Sequence, residues 1–254
     1  MQRVLEFIEQ KKQAYAQLPL FDFMQDQSIP PLQRLGFAPC MAHFIMSFGD
    51  LNKYVFREKE TTNQLHDLIN EHTYEDDHHW PWFLTDLKKL GFCQPQSFTE
   101  VMRFLWGEET KVTRQLSYQL SAYTLQAQPI QKIAIIEAIE ATGNVLFNLT
   151  TRIALEIQAE TQQEYQYFGE FHFKLETGHA VGDADSEAVL KNIELSDDGL
   201  QECFDLVEKV FEMFTEWAEE LHLYACKHSV PTLPTLLYSG SSSPSNAQTP
   251  SPHY

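Results

Sequence analysis

Cysteine and glycine are both scarce in this chain of 254 residues, which has 4 cysteines and 10 glycines. Cys40, Cys93, Cys203 and Cys226 form no CxxC pair, which argues against the zinc-finger and thioredoxin patterns. We expect free, buried thiols in a reducing compartment, with the cytoplasm as the default location. Because glycine is rare and few windows alternate apolar with polar residues, helical periodicity dominates the sequence.

Positive charge is also scarce, since 18 basic residues stand against 36 acidic ones and give a net charge of −18. A chain this acidic repels nucleic acid and anionic membrane surfaces, so we expect neither as a partner. No apolar run is long enough to predict a membrane-spanning helix. The segment Met1–Gln17 is amphipathic and charged, and it lacks the apolar core of a signal peptide.

The periodicity predicts an all-α fold with seven or eight helices in one domain, residues 1–238. The Ser/Pro-rich tail 239–254 has no core-forming residues, and we expect it to be disordered. Pro81 should kink or break the predicted helix 62–90 just after His78 and His79, and Gly91 should end it. The predicted helices cover about residues 3–17, 31–48, 62–90, 97–106, 108–126, 129–159, 162–180 and 196–229.

Two of these helices carry a row of histidine and carboxylate side chains. Residues at i, i+4 and i+7 share one helix face, and His172, Glu176 and His179 have that spacing. Glu71, Glu75 and His78 repeat it. Since aromatic residues flank both rows, these faces should be packed, and a buried carboxylate or imidazole needs a partner or a metal ion. Mixed His and carboxylate ligands are typical of iron and manganese sites.

A further carboxylate lies in the apolar helix 133–147, which carries Glu137 and Glu140. We expect one of them to form an ordinary salt bridge and prefer Glu140 as the metal ligand. Whether Glu75 replaces Glu71, or Glu137 replaces Glu140, stays open at this point. His72 and His79 neighbour the predicted ligands but project to other helix faces, so surface or outer-sphere roles are expected for them.

Two dinuclear architectures fit these residues. A ferritin-like protein would use the pairs Glu75-x-x-His78 and Glu176-x-x-His179 with Glu140 and either Glu6 or Glu9, which leaves His172 idle. The second architecture uses six ligands, and all of them lie in the rows or in the apolar helix. They are Glu71, His78, Glu140, His172, Glu176 and His179. A metal-free helical binding protein is the alternative outside enzymology.

The six-ligand pattern resembles the haem-oxygenase-like diiron oxidases and oxygenases, which have Glu-x6-His, a central Glu and His-x3-carboxylate-x2-His. The segments EDDHHWPWFLTDLKKLGF, LWGEETKVTRQL, EAIEATGNVLF and YFGEFHFKLETGHAVG are similar to a cyanobacterial branch that forms nitriles from a tryptophan derivative. The resemblance spans roughly residues 1–230. One departure is Glu176, where many relatives have Asp. Gly178 and Gly182 flank His179, and the resemblance implies that this ligand helix unwinds without metal.

The resemblance implies a haem-oxygenase-like bundle that holds two iron ions cycling between Fe(II) and Fe(III), with O2 as co-substrate. It implies a small-molecule substrate and an external electron donor, and it leaves a homodimer open. We expect an amino-acid substrate, since Tyr74, Arg103, Arg114 and Tyr118 offer groups for its carboxylate and ammonium. The aromatic side chains expected to line the pocket, unless they are plain core, are Trp80, Phe83, Phe168 and Phe171.

Overall fold

All regular structure in the described residues is helical, as the periodicity predicted. The computed structural model describes residues 1–59, 63–180 and 189–231, and of residues 176–180 it describes the backbone alone. The predicted tail 239–254 lies outside these ranges. The helices are α1 (Gln2–Tyr15), α2 (Pro19–Gln25), α3 (Pro31–Arg34), α4 (Ala42–Leu51), α5 (Gln64–Asp76), α6 (Trp80–Lys89), α7 (Phe98–Trp106), α8 (Lys111–Thr124), α9 (Pro129–Thr161), α10 (Glu170–Ala180) and α11 (Asp197–Lys227).

The core is built around α9, which packs against α1, α5, α10 and α11. By length and composition α9 would suffice to cross a membrane, but 72% of its most apolar window is buried inside the bundle. Its apolar character is therefore that of a central core helix. The long amphipathic helix α11 lies beside it and also contacts α1, α2 and α8.

Proline sets several helix ends that differ from the prediction. Instead of one helix 31–48, α3 is followed by a 3-10 turn, Ala38–Met41, before α4 begins. Pro39 lies in that turn, where its missing N–H removes a helical hydrogen bond. Pro19 occupies the first turn of α2, a short helix in a segment that was predicted to be a connection. Gly91 ends α6 in the left-handed region, with φ of 84°, as predicted.

Two predicted helices are shorter than expected, and both changes affect the site described below. The predicted helix 62–90 is broken near Pro81 as expected, but the break lies between Asp76 and Trp80 and so begins before His78. The predicted helix 162–180 begins only at Glu170, after an irregular loop. All four cysteines are free, and Cys40 and Cys203 are buried as expected whereas Cys93 and Cys226 are exposed.

Candidate metal centre

A cavity of about 60 Å³ lies where α4, α9, α10 and α11 meet the turn between α5 and α6. Most of its wall is aromatic or aliphatic, contributed by Met41, Phe44, Ile45, Phe48, Trp80, Ile139, Gly143, Leu146, Phe147, Tyr167, Phe214 and Trp217. Four acidic or imidazole side chains complete the lining, namely Asp76, His79, Glu140 and His172. Each of these four is at most 9% exposed. Ionisable groups buried this deeply need charge-compensating partners or a metal ion.

The two carboxylates form a pair across two helices. Asp76 ends α5, Glu140 lies in the middle of α9, and their side chains are hydrogen-bonded to each other. Burial, and then the charge and hydrogen bond of Glu140, raise the pKa of Asp76 well above its usual value. Two buried carboxylates that share one proton can bind a metal cation in place of that proton.

The two imidazoles form a second pair. His172 Nδ1 lies 2.9 Å from the Tyr167 carbonyl oxygen, which can only accept, so His172 donates from Nδ1. Its Nε2 therefore carries a lone pair and accepts from His79 Nδ1 at 3.0 Å. Burial lowers the pKa of His172 to about 4, which keeps the ring neutral. A neutral histidine whose second nitrogen is oriented by a backbone carbonyl is the usual form of a metal-binding imidazole.

Aromatic rings fix the planes of both imidazoles. The Trp82 ring stacks on His79 with centroids 4.6 Å apart, and Phe147 contacts His172 edge-on at 4.3 Å. Tyr167 also packs on His172, with centroids 4.7 Å apart. These contacts restrict rotation of the two rings and exclude water from them.

The turn that places Asp76 and His79 is held from outside by Arg57. The Arg57 guanidinium donates to the Thr73 carbonyl at 2.6 Å, the Thr73 hydroxyl at 3.0 Å and Asp77 at 2.7 Å. It also lies 3.8 Å over the Tyr74 ring. Burial would raise the pKa of Asp77, but the hydrogen bond from Arg57 and the charges of Lys53 and Arg57 hold it below its usual value. Arg57 thus binds the last turn of α5 where the helix stops.

The loop that leads into α10 is held by one carboxylate from α6. Asp86 is fully buried and accepts from the backbone N–H groups of Gln166, Tyr167 and Phe168 at 3.1, 2.8 and 3.0 Å. Because these amides are satisfied by Asp86, the segment stays a loop, and α10 begins at Glu170. At Gly169 an added Cβ would lie 2.0 Å from the Tyr165 carbonyl oxygen, so the tight loop requires glycine there.

The predicted ligands fall into three groups. Glu140 and His172, two of the predicted metal ligands, both line the cavity. Glu71 and His78 are exposed on the surface, so the structure does not bring them to it. Glu176 and His179 lie on α10 beyond His172, and their side chains are outside the described residues. Because α5 ends at Asp76, the helical spacing from Glu71 does not extend to His78, and the two side chains do not share a helix face.

Asp76 and His79 are the cavity residues that the sequence interpretation missed. A surface or outer-sphere role was predicted for His79, and the structure places it in the cavity lining because it precedes α6 instead of continuing α5. A signal was present in Pro81, which lies in the first turn of α6. Proline at that position implies that the preceding helix has already ended, so the motif to test was Asp76-x-x-His79.

The residues expected to bind substrate lie mostly elsewhere. Trp80 lines the cavity, Phe83 and Phe168 are fully buried in the core, and Phe171 is 53% exposed. None of the polar residues predicted to recognise an amino acid lines the cavity; these are Tyr74, Arg103, Arg114 and Tyr118. The Arg114 guanidinium instead donates to the Leu105 carbonyl at 2.9 Å.

The donor chemistry fits a first-row metal, since it combines carboxylate oxygens with imidazole nitrogens. Within the side chains of residues 1–59, 63–175 and 189–231, no three His, Cys, Asp or Glu groups are close enough together to hold an ion. The four donors instead form the two pairs above. The helix that supplies His172 continues through Glu176 and His179, the remaining predicted donors.

Comparison with known proteins does not identify a family. No protein-family model matches the chain, and no curated protein matches it.

Proposed function

We propose that the chain is an O2-dependent, non-haem diiron oxidase or oxygenase acting on a small organic substrate. The observation that carries the proposal is the pairing of buried Asp76 with Glu140 beside the hydrogen-bonded pair His79 and His172. Together with Glu176 and His179 they would supply three carboxylates and three histidines. The haem-oxygenase-like bundle inferred from the sequence belongs to the same proposal.

Bound iron would supply the redox chemistry that reduces O2, with electrons from an external donor. The chain's own contribution is to position and shield the ligands. The Tyr167 carbonyl orients His172, Trp82 fixes the plane of His79, and Arg57 holds the turn that carries Asp76. The apolar walls exclude water from the reacting groups.

An amino-acid substrate, with nitrile formation from a tryptophan derivative as its specific case, stays a prediction. No Arg or Lys side chain lines the cavity within the described residues. A substrate carboxylate inside it would therefore need the metal centre itself as its partner.

The ferritin-like alternative has less geometric support. It requires Glu75-x-x-His78, and the His78 side chain is 57% exposed and lies 3.3 Å from Asp77. A metal-free binding protein is a second candidate, favoured by the mainly apolar wall and by the lack of a three-donor group in the described part.

Iron content after anaerobic loading with Fe(II) tests the proposal. We expect about two ions per chain, as in other dinuclear carboxylate proteins, and O2 uptake when a reductant is present. His79→Gln and Asp76→Asn should lose at least one ion. Their neighbours provide matched controls, because His78→Gln and Glu71→Gln alter exposed side chains and should keep both ions.

Two other results would contradict the proposal or its ligand set. Wild-type protein that binds no iron would support the metal-free binding protein. Loss of iron in His78→Gln but not in His79→Gln would restore the spacing predicted from the sequence.

A further inference from the structure

Gly143 is unusual among the glycines that the structure describes, because no crowding explains it. An added Cβ at Gly36, Gly49, Gly107 or Gly169 would come within 3.0 Å of a backbone oxygen, and Gly91 has a positive φ. At Gly199 the Ser196 hydroxyl would be 3.2 Å away. At Gly143 the nearest atoms belong to the Phe147 ring, at 3.6 and 3.8 Å, which is ordinary contact.

A glycine in the middle of a long helix is destabilising, since it costs more backbone entropy than alanine. Gly143 lies well inside α9, which runs over 33 residues from Pro129 to Thr161. It keeps exposed surface although residues 138–142 are all buried. Gly143 also lines the cavity, as does Glu140. The missing side chain therefore contributes open space to the cavity.

This space lies next to the proposed metal donors. Gly143 is about one helical turn from Glu140 and one from Phe147, whose ring touches His172. The same cavity is also lined by a cluster from α4 and α11, in which the Phe44 ring lies 5.2 Å from Trp217 and 5.7 Å from Phe214. A group seated over Gly143 would contact apolar rings on one side and the donors on the other.

We infer that the space over Gly143 is a binding subsite for an uncharged, apolar group of the substrate, and that Gly143 sets its size limit. The inference rests on the proposed function only in naming that group as part of a substrate. The cavity of about 60 Å³ is smaller than a cavity of about 150 Å³ that accepts benzene. The subsite therefore fits a short alkyl group or the edge of a ring, and a complete ring requires the walls to move.

Xenon and iodide test size and charge separately, because they have the same number of electrons and differ in charge. Crystals of the metal-free protein would be pressurised with xenon or soaked in iodide, and both atoms located by anomalous scattering. We expect xenon at Gly143 and no iodide there. In Gly143→Ala the xenon site should disappear, whereas Gly199→Ala, a glycine substitution in α11 outside the cavity lining, should keep it.

Stability and iron content distinguish a substrate subsite from other uses of the space. Gly143→Ala should raise the melting temperature by about 2–4 °C, since the methyl group enters open space and favours the helix. Its iron content should equal that of the wild type. A lower melting temperature, iodide at the site, or iron loss in a folded variant would overturn the inference. Wild-type protein that binds xenon but no iron would overturn the proposed function alone.

Discussion

The two walls that hold the carboxylates position them in different ways. On α9, Glu140 and Gly143 belong to one unbroken helix, so helical geometry alone fixes their spacing. On the opposite wall, Asp76 and His79 lie on either side of a helix break. Their positions depend on contacts made by other segments, above all by Arg57 and Gly49. Substitutions around α9 should therefore leave Glu140 in place. Substitution of Arg57 or Gly49 should instead displace Asp76 and His79.

The segments that hold the turn between α5 and α6 are close packed against it. An added Cβ on Gly49 would lie 2.8 Å from the Asp77 carbonyl oxygen, so α4 presses directly against the turn. The α10 wall is similar, because Asp86 satisfies three amides of the loop that precedes it. Both irregular segments are therefore held by side chains that are distant in sequence.

The largest effect is expected from removing the support of α10. Asp86→Ala would leave three backbone N–H groups without their acceptor, two of them in buried hydrogen bonds, and we expect a loss of about 4 kcal/mol of unfolding free energy. Asp86→Asn keeps one acceptor oxygen and should lose less. The measurement is urea unfolding of the metal-free protein.

Thr85→Ala is the control for that experiment, since the Thr85 hydroxyl is exposed and donates to the Pro81 carbonyl within its own helix. A loss for Asp86→Ala no larger than for Thr85→Ala would show that the loop is held by its own packing.

The same contrast explains how far the sequence could predict the site. Glu140 could be identified because it is a carboxylate within an unbroken apolar helix, where spacing and burial follow from periodicity. Asp76 and His79 could not be placed by spacing, because the helix phase is lost at the break between α5 and α6. The loop before α10 depends on Asp86, about 80 residues earlier, and local sequence carries no signal of that contact.

A smaller effect is expected at the turn between α5 and α6. Arg57→Ala removes hydrogen bonds to Thr73 and Asp77 and the stacking on Tyr74, and should lower the unfolding free energy by about 2 kcal/mol. Because the turn carries Asp76 and His79, iron affinity should fall about tenfold or more. Arg57→Lys should restore little, since an ammonium cannot reproduce the planar contacts of a guanidinium.

Lys53→Ala tests whether charge alone matters, because Lys53 Nζ lies 3.8 Å from Asp77 and the side chain is 36% exposed. We expect less than about 1 kcal/mol and unchanged iron affinity. Equal effects of the two alanine variants would mean that the turn responds to the charge near Asp77 and not to the Arg57 contacts.

The smallest of the three main effects is a gain in stability, and it concerns Glu140 on α9. In the metal-free protein, burial and the charge of Glu140 raise the pKa of Asp76 above its unfolded value of about 4. An acid with a raised folded pKa gives its full stability below pH 4 and loses it as the pH rises toward that folded pKa. Glu140→Gln removes the neighbouring charge, so it should flatten this loss and stabilise the metal-free protein by about 1 kcal/mol at pH 8.

The measurement is the melting temperature from pH 5 to pH 9. The control is Glu137→Gln, one turn earlier on α9 and outside the cavity lining, which should keep the wild-type dependence of melting temperature on pH. Iron should reverse the ranking, because the wild type gains stability from the ion whereas Glu140→Gln lacks the carboxylate that binds it. A steeper loss of stability with pH in Glu140→Gln would show that repulsion between the two carboxylates does not limit the metal-free protein.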